Sequence, residues 1–224
     1  MSVNARTAPI CCAAPLCHDV AMPRPRDQAA RRAQLVEAAA QAVISRGAAN
    51  ARLRDVAAEA GLTPASVLYY YPDLGELLAA VFERGTQTYI VHRRASVEAA
   101  AGAWPRLLAC IRSGVPFPGE AEMTSRLLYE LLPVTFRNEA AKAQQRRFVA
   151  DQAALYQKLL EEGRASGDFD LVDDAAFLAR GFVALEDGYG IEVLSEEATA
   201  QHVHDLLVRH ARLVTGVDAG VRTA

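Results

Sequence analysis

The side chains best suited to chemistry in this chain of 224 residues gather at Arg52, Arg54, Thr63, Pro64, Ala65, Ser66, Tyr69 and Tyr70. Serine, threonine and tyrosine hydroxyls bond phosphate oxygens, and short side chains let a helix come close to a base edge. Arginine neutralises phosphate. The spacing fits such a use. Leu53, Val56, Ala57 and Ala60 predict a short helix over 53–60, and Gly61 stops it. Only Gly61-Leu62-Thr63 separates it from a second short helix over 64–70. Thr63 is a good N-cap and Pro64 a favoured first helical residue. Two short helices joined by a glycine-containing turn are the helix-turn-helix pattern, which sets the start of its second helix in a major groove. The N-terminus of that helix also favours phosphate. A small helical subdomain with aromatics in its core would use the same residues.

Groupings that carry catalysis are missing. There is no G-x-G-x-x-G after a strand, no G-x-x-x-x-G-K-[ST], no H-E-x-x-H and no G-x-S-x-G. Cys110 falls mid-helix in an apolar stretch, where a buried thiol is expected rather than a nucleophile. The acidic pairs Glu161-Glu162 and Asp173-Asp174 are adjacent, so their members point different ways on a helix. His202 and His204 diverge around one helix, and His210 lies two turns further on. Cys11, Cys12, Cys17 and His18 lack the C-x2-C spacing of common zinc sites. No catalytic residue, metal or cofactor is expected.

The elements that must position the first cluster follow from periodicity. Leu35, Ala39, Ala42 and Val43 predict a helix from Asp27 that Gly47 ends. After Pro72, further helices are predicted over 74–95, 99–112, from Met123 towards Pro133, over 139–164, from Asp173 or Asp174 to Leu194, and from Ser195 as N-cap to Val214. Hydrophobic residues are 51% and charged residues 23%, which excludes wholesale disorder. Frequent alanine and scarce β-branched runs make the fold class all-α. No run approaches the ~20 apolar residues of a membrane span. Four cysteines, three of them in a proline-interrupted N-terminal stretch with no clear cleavage site, make no disulfide framework, so a cytoplasmic protein is expected. The net charge of −3 hides an asymmetry: residues 23–95 carry ten Arg against seven acids, whereas 96–224 carry thirteen Lys or Arg against nineteen acids. A basic head on an acidic body suggests that one end meets a polyanion.

The stretch Arg31 to Phe82, RRAQLVEAAAQAVISRGAANARLRDVAAEAGLTPASVLYYYPDLGELLAAVF, resembles the DNA-binding domain of TetR-family transcriptional regulators. Ala38-Ala39, Arg46-Gly47, Asp55-Val56-Ala57, Ala60-Gly61, Tyr69-Tyr70-Tyr71 and Leu77-Leu78 carry the resemblance. Residues 155–194, with EEGRASGDFD and ALEDGYGIEVL, are similar to the C-terminal domain of the branch containing the betaine-responsive repressor. Three positions depart from the family pattern. Ala51 and Arg52 stand where Ser or Thr usually enters the second helix, Leu74 stands where a Lys usually meets a phosphate, and Tyr71 replaces Phe. Arg52 and Arg54 are the substitutes expected for the missing Lys.

Prolines and the lack of a helical period make residues 1–26 a tail, and the resemblance implies the helix-turn-helix domain over 27–73, a ligand-binding and dimerisation domain over 74–215, and a tail over 216–224. It implies a homodimer on a palindromic double-stranded DNA operator, a repressor released by a small-molecule effector. Trp104, Ile111, Met123, Leu127, Phe148 and Tyr156 are the expected cavity lining, though each also suits an ordinary core. Glu130 and Asp187, near Trp104 or Tyr189, would suit a cation. The small-residue stripe Phe177, Gly181, Ala184, Gly188 and Ile191, with Val203, Leu206, Leu207 and His210 of the last helix, is the expected dimer face. A structural dimerisation module without DNA binding and a small-molecule-modifying enzyme are the alternatives.

Overall fold

The computed structural model describes residues 25–217. Cys11, Cys12, Cys17 and His18 lie outside the described residues, as does nearly all of the tail assigned to 1–26 and most of that assigned to 216–224. The fold is all-α. Its helices are α1 (Pro25–Arg46), α2 (Leu53–Glu59), α3 (Pro64–Tyr70), α4 (Leu74–Glu98), α5 (Ala103–Gly114), α6 (Glu120–Thr135), α7 (Glu139–Ala165), α8 (Ala175–Leu194) and α9 (Ala200–Thr215). Among the described residues no helix is long and apolar enough to cross a membrane.

Helix starts are set by short polar side chains that accept otherwise orphaned backbone N–H groups. Thr63, Asp73, Asn138, Asp174 and Thr199 do this for α3, α4, α7, α8 and α9. The last of these corrects one boundary. Ser195 does not cap the final helix; its N–H donates back to the Ile191 carbonyl and closes α8, and α9 begins five residues later behind Thr199. Another boundary also moves. The helix expected to end at 95 continues to Glu98, because Val97 is buried in the body, and Gly102 at φ 89° then breaks the chain before α5. Pro133 does not end α6, since in the last turn its missing N–H forfeits a single helical bond.

Two apolar clusters organise these helices. The head cluster takes Leu35, Ala39 and Val43 of α1, Val56 of α2, Val67 of α3, Leu77 and Phe82 of α4, and Leu128 and Leu131 of α6. The body cluster takes Leu107 and Ile111 of α5, Tyr156 and Leu160 of α7, Phe182 of α8, and Val203 and Leu207 of α9. The connecting helix α4 therefore belongs to both clusters, its first half packing in the head and Val97 in the body.

A charged cluster sits inside the body. The fully buried Arg93 of α4 holds the Glu186 carboxylate of α8 in a bidentate pair at 2.8 and 3.0 Å. It also donates to Gln152 of α7 at 3.0 Å and to the Cys110 carbonyl of α5 at 3.0 Å. The Tyr156 hydroxyl of α7 donates to the same carboxylate. Burial works hardest against the guanidinium charge, but Glu186 together with Cys110, Tyr89 and Tyr156 outweighs it and holds the Arg93 pKa well above its ordinary value. Burial, then the Glu186 charge, push the Tyr156 phenol up, so it stays a donor. Gly114 is required beside them, because a Cβ there would occupy the space of the Glu186 carboxylate.

Removing one member of such a pair leaves the other charge buried and alone. Arg93→Met is expected to lower stability by about 3–5 kcal/mol in urea unfolding, and the double replacement Arg93→Met with Glu186→Met to recover part of that loss. A loss below about 1 kcal/mol for Arg93→Met would show that the pair does not hold the body together.

Candidate nucleic-acid interface and ligand cavity

The helix-turn-helix forms around two local devices. Gly61 adopts φ +65°, the left-handed conformation the turn needs and a β-carbon disfavours. Thr63 Oγ1 accepts the Ser66 N–H at 3.2 Å, so the threonine is committed to starting α3. Val67 is buried and anchors the helix to the head core, and Tyr71 is buried behind it with the Arg32 guanidinium 4.9 Å from its ring centroid. This leaves Thr63, Pro64, Ala65 and Tyr69 exposed on one side, with Ser66 and Tyr70 half-buried. Tyr69 is 65% exposed and edges against the Tyr70 ring. Leu68, absent from the sequence expectation, is exposed beside them.

The two arginines expected to meet phosphate differ. The backbone N–H of Arg52 donates to Asp55 at 3.0 Å, fixing the start of α2. Its guanidinium turns back to the carbonyls of Ala49 and Ala51. Arg54 makes no such bond among the described residues and is exposed. Leu74, where a lysine was expected by resemblance, is half-buried against the head core, while Asp73 caps α4 by accepting the Glu76 N–H.

Between head and body lies a cavity of about 230 Å³. Phe82 and Tyr89 come from α4, Ser125, Leu128, Tyr129 and Leu132 from α6, Gln145, Phe148 and Gln152 from α7, and Glu186, Asp187, Gly188, Gly190 and Ile191 from α8. Tyr89 and Phe148 meet edge to face, with centroids 5.3 Å apart. The Tyr129 hydroxyl donates to the Asp187 carbonyl at 2.8 Å and ties α6 to α8. Burial pushes the Tyr89 and Tyr129 phenols up, so both stay neutral. Partial burial and then the Glu186 charge push the Asp187 carboxyl from 3.8 up to about 6. Gln145 Oε1 is buried with no hydrogen-bond partner among the described residues.

Of the six expected lining residues, the structure brings only Phe148 to this cavity. Ile111 and Tyr156 are buried in the body core, Tyr156 as the donor to Glu186. Trp104 packs edge-on against Phe169 at 6.5 Å. Met123 is exposed on α6, and Leu127 packs on the head cluster. The helix angles decide this for α6: the face that meets the cavity is Ser125, Leu128, Tyr129 and Leu132, nearly half a turn from Leu127. Nor do Glu130 and Asp187 share a site. Glu130 accepts the Ala48 N–H at 3.0 Å beside the loop after α1, and Asp187 is at the cavity rim, away from Trp104.

The expected dimer face divides in two. On α8, Phe177, Ala184, Gly188 and Ile191 are exposed and Gly181 is half-exposed. Nothing lies within 4 Å of a β-carbon built at Gly181 or Gly188. On α9, Val203 and Leu207 instead point into the body core, and His210 packs against the Phe182 ring at 5.2 Å. Leu206 is half-exposed, and Leu213, 70% exposed, joins it on the outward side.

The family model described as bacterial regulatory proteins, tetR family, matches residues 35–81. No curated protein matches the chain. Among solved structures, a TetR-family regulator from Rhodococcus sp. is 23% identical over 84% of this chain and 99% of that one, with a TM-score of 0.70. A transcriptional regulator from Saccharomonospora viridis, in complex with choline, is 22% identical over 82% and 96%, with a TM-score of 0.76. A TetR regulator from Haloarcula marismortui is 19% identical over 84% and 99%, with a TM-score of 0.75. Residues 35–81 thus match the N-terminal domain of the bacterial regulatory proteins of the tetR family, and the described chain has the fold that those structures share.

Proposed function

We propose that this chain is a ligand-responsive transcriptional repressor that binds a near-palindromic operator as a homodimer and leaves it when a small molecule enters the cavity. One observation carries the reading. Phe82 and Leu128 are buried in the head cluster and also line the cavity, so a ligand touches the side chains on which the DNA-binding head is packed. A ligand shifts the heads only by binding one arrangement better than another. The resemblance of residues 155–194 supports a place near the betaine-responsive branch, as does a fold shared with a choline-bound regulator.

Footprinting on the DNA upstream of the chain's own gene is expected to protect two inverted half-sites on one face of the duplex. Arg54→Ala is expected to lower the salt dependence of operator binding by about one unit per lost phosphate contact. Arg52→Ala is expected to lower it less, because its guanidinium also serves the 49–51 loop. Turnover of a small molecule without any sequence-specific DNA binding would replace this function with an enzymatic one.

The outward stripe of α8 supports dimerisation through close helix approach. A β-carbon at 181 meets nothing within 4 Å in the protomer, so Gly181→Phe is expected to leave folding intact and shift sedimentation from dimer to monomer. A wild-type monomer at micromolar concentration would remove the dimer from this reading.

A further inference from the structure

We propose that the cavity between α4, α6, α7 and α8 takes a protonated organic amine, its apolar body among the aromatic rings and its N–H groups meeting the cavity's free acceptors. As an effector this rests on the regulatory reading above, but the binding chemistry follows from the cavity itself.

Charge comes first. Among the described residues no lysine or arginine lines the cavity, and two carboxylates do. Glu186 is already neutralised by the bidentate Arg93, so Asp187 alone carries free charge at the wall. A carboxylate or phosphate ligand would meet that charge with no cation to offset it. A neutral ligand would desolvate Asp187 without a partner. A cation is drawn to it, and also to the ring quadrupoles of Phe82, Tyr89, Tyr129 and Phe148. Hydrogen bonding then narrows the cation. Gln145 Oε1 is a buried acceptor without a donor. A fully methylated ammonium has no N–H to offer it and forgoes that hydrogen bond. An amine that keeps its N–H groups satisfies it.

Protonation gives a second handle. The titratable groups around Asp187 are Glu186 and Arg180 on α8, Arg93 and Tyr89 on α4, and Tyr129 on α6; α7 presents the uncharged Gln145 and Gln152. Both phenols are pushed up and Glu186 is paired with Arg93, so Asp187 is the group that ionises near pH 6. Below that pH the amine loses its counter-charge. Alkylammonium probes stay protonated throughout, so their affinity rises as pH passes through about 6.

Matched probes test this on the full-length protein by calorimetry. On a benzyl and on a butyl body, the amine is compared with its alcohol, carboxylate and trimethylammonium counterparts. At least one amine is expected to bind about tenfold or more tightly than its three counterparts. Asp187→Asn is expected to weaken it about tenfold and abolish the pH dependence, while the unliganded variant melts like wild type. Gln145→Met is expected to erase the preference for amine over trimethylammonium. The proposal is overturned if carboxylates or alcohols bind best, if the trimethylammonium compounds match the amines, if no amine saturates the site at millimolar concentration, or if Asp187→Asn binds the amine as wild type does. A mobility-shift assay separates the two readings. Operator binding released by an anion or a neutral compound keeps the regulator and removes the amine. Amine binding in a protein that retains no operator keeps the cavity chemistry and removes the regulator.

Discussion

The body is organised around a guanidinium that water cannot reach. A charge so buried persists only when its desolvation is met by an opposite charge and by hydrogen bonds in good geometry. Arg93 obtains these from four helices at once: the Tyr89 hydroxyl of its own α4, the Cys110 carbonyl of α5, Gln152 of α7 and Glu186 of α8. Each partner lies on a different element, so the pair admits few arrangements of those helices. The Glu186 side chain also reaches the end of α5, where only glycine at 114 leaves room for its carboxylate. Apolar packing alone would tolerate small rotations of α8; the bidentate pair does not.

That fixed rotation of α8 determines what the remainder of the helix can do. With Glu186 turned inward, its neighbour Asp187 is carried to the cavity rim, and the small-residue stripe faces out. The same pairing silences the Glu186 charge, which leaves the cavity with one free carboxylate instead of two. On the other side of the cavity, α6 contributes both to the wall and to the head, through Leu128 and through Glu130, whose carboxylate accepts the Ala48 N–H just beyond α1. The head is thus held by α4 and α6 together, and both elements have side chains that a ligand would touch.

The head was legible in the sequence because its determinants are local. The turn at Gly61, the cap at Thr63 and the proline at 64 act within a few residues, and the apolar positions of α1 and α2 repeat at helical spacing. The cavity was not legible, because its walls come from four helices whose relative rotation is a tertiary property. Periodicity identifies the apolar face of α6 but does not say that Leu128 and Tyr129 meet the cavity while Leu127 meets the head. The buried ion pair did leave a trace: Arg93 interrupts the buried positions Ile90 and Val97, and Glu186 interrupts Phe182, Val183 and Gly190. A charge placed in the middle of an apolar stripe, on each of two helices, is the mark of a partner across the core. The final helix misled for a related reason. It is apolar on a broad face, and the sequence does not reveal that Val203 and Leu207 are spent on the protomer's own core, leaving Leu206 and Leu213 outside.

On α8 the cavity and the outward stripe overlap. Gly188 and Ile191 belong to both: each lines the cavity and each is exposed on the face proposed for dimerisation. The absence of a side chain at 188 therefore serves two purposes at one position, since a second helix can come close and the rim beside Asp187 stays open. In a dimer built on this stripe, the rim at Gly188 and Ile191 would lie under or beside the partner's helix. Entry of a ligand and contact between protomers would then compete for the same few ångströms of surface, and an occupied cavity would change the packing of Ile191 against the partner as well as that of Phe82 against the head. Both changes would act on the spacing of the two heads, one through the interface and one through α4. Through both changes the Arg93–Glu186 pair would hold the helix between cavity and interface in a single rotation.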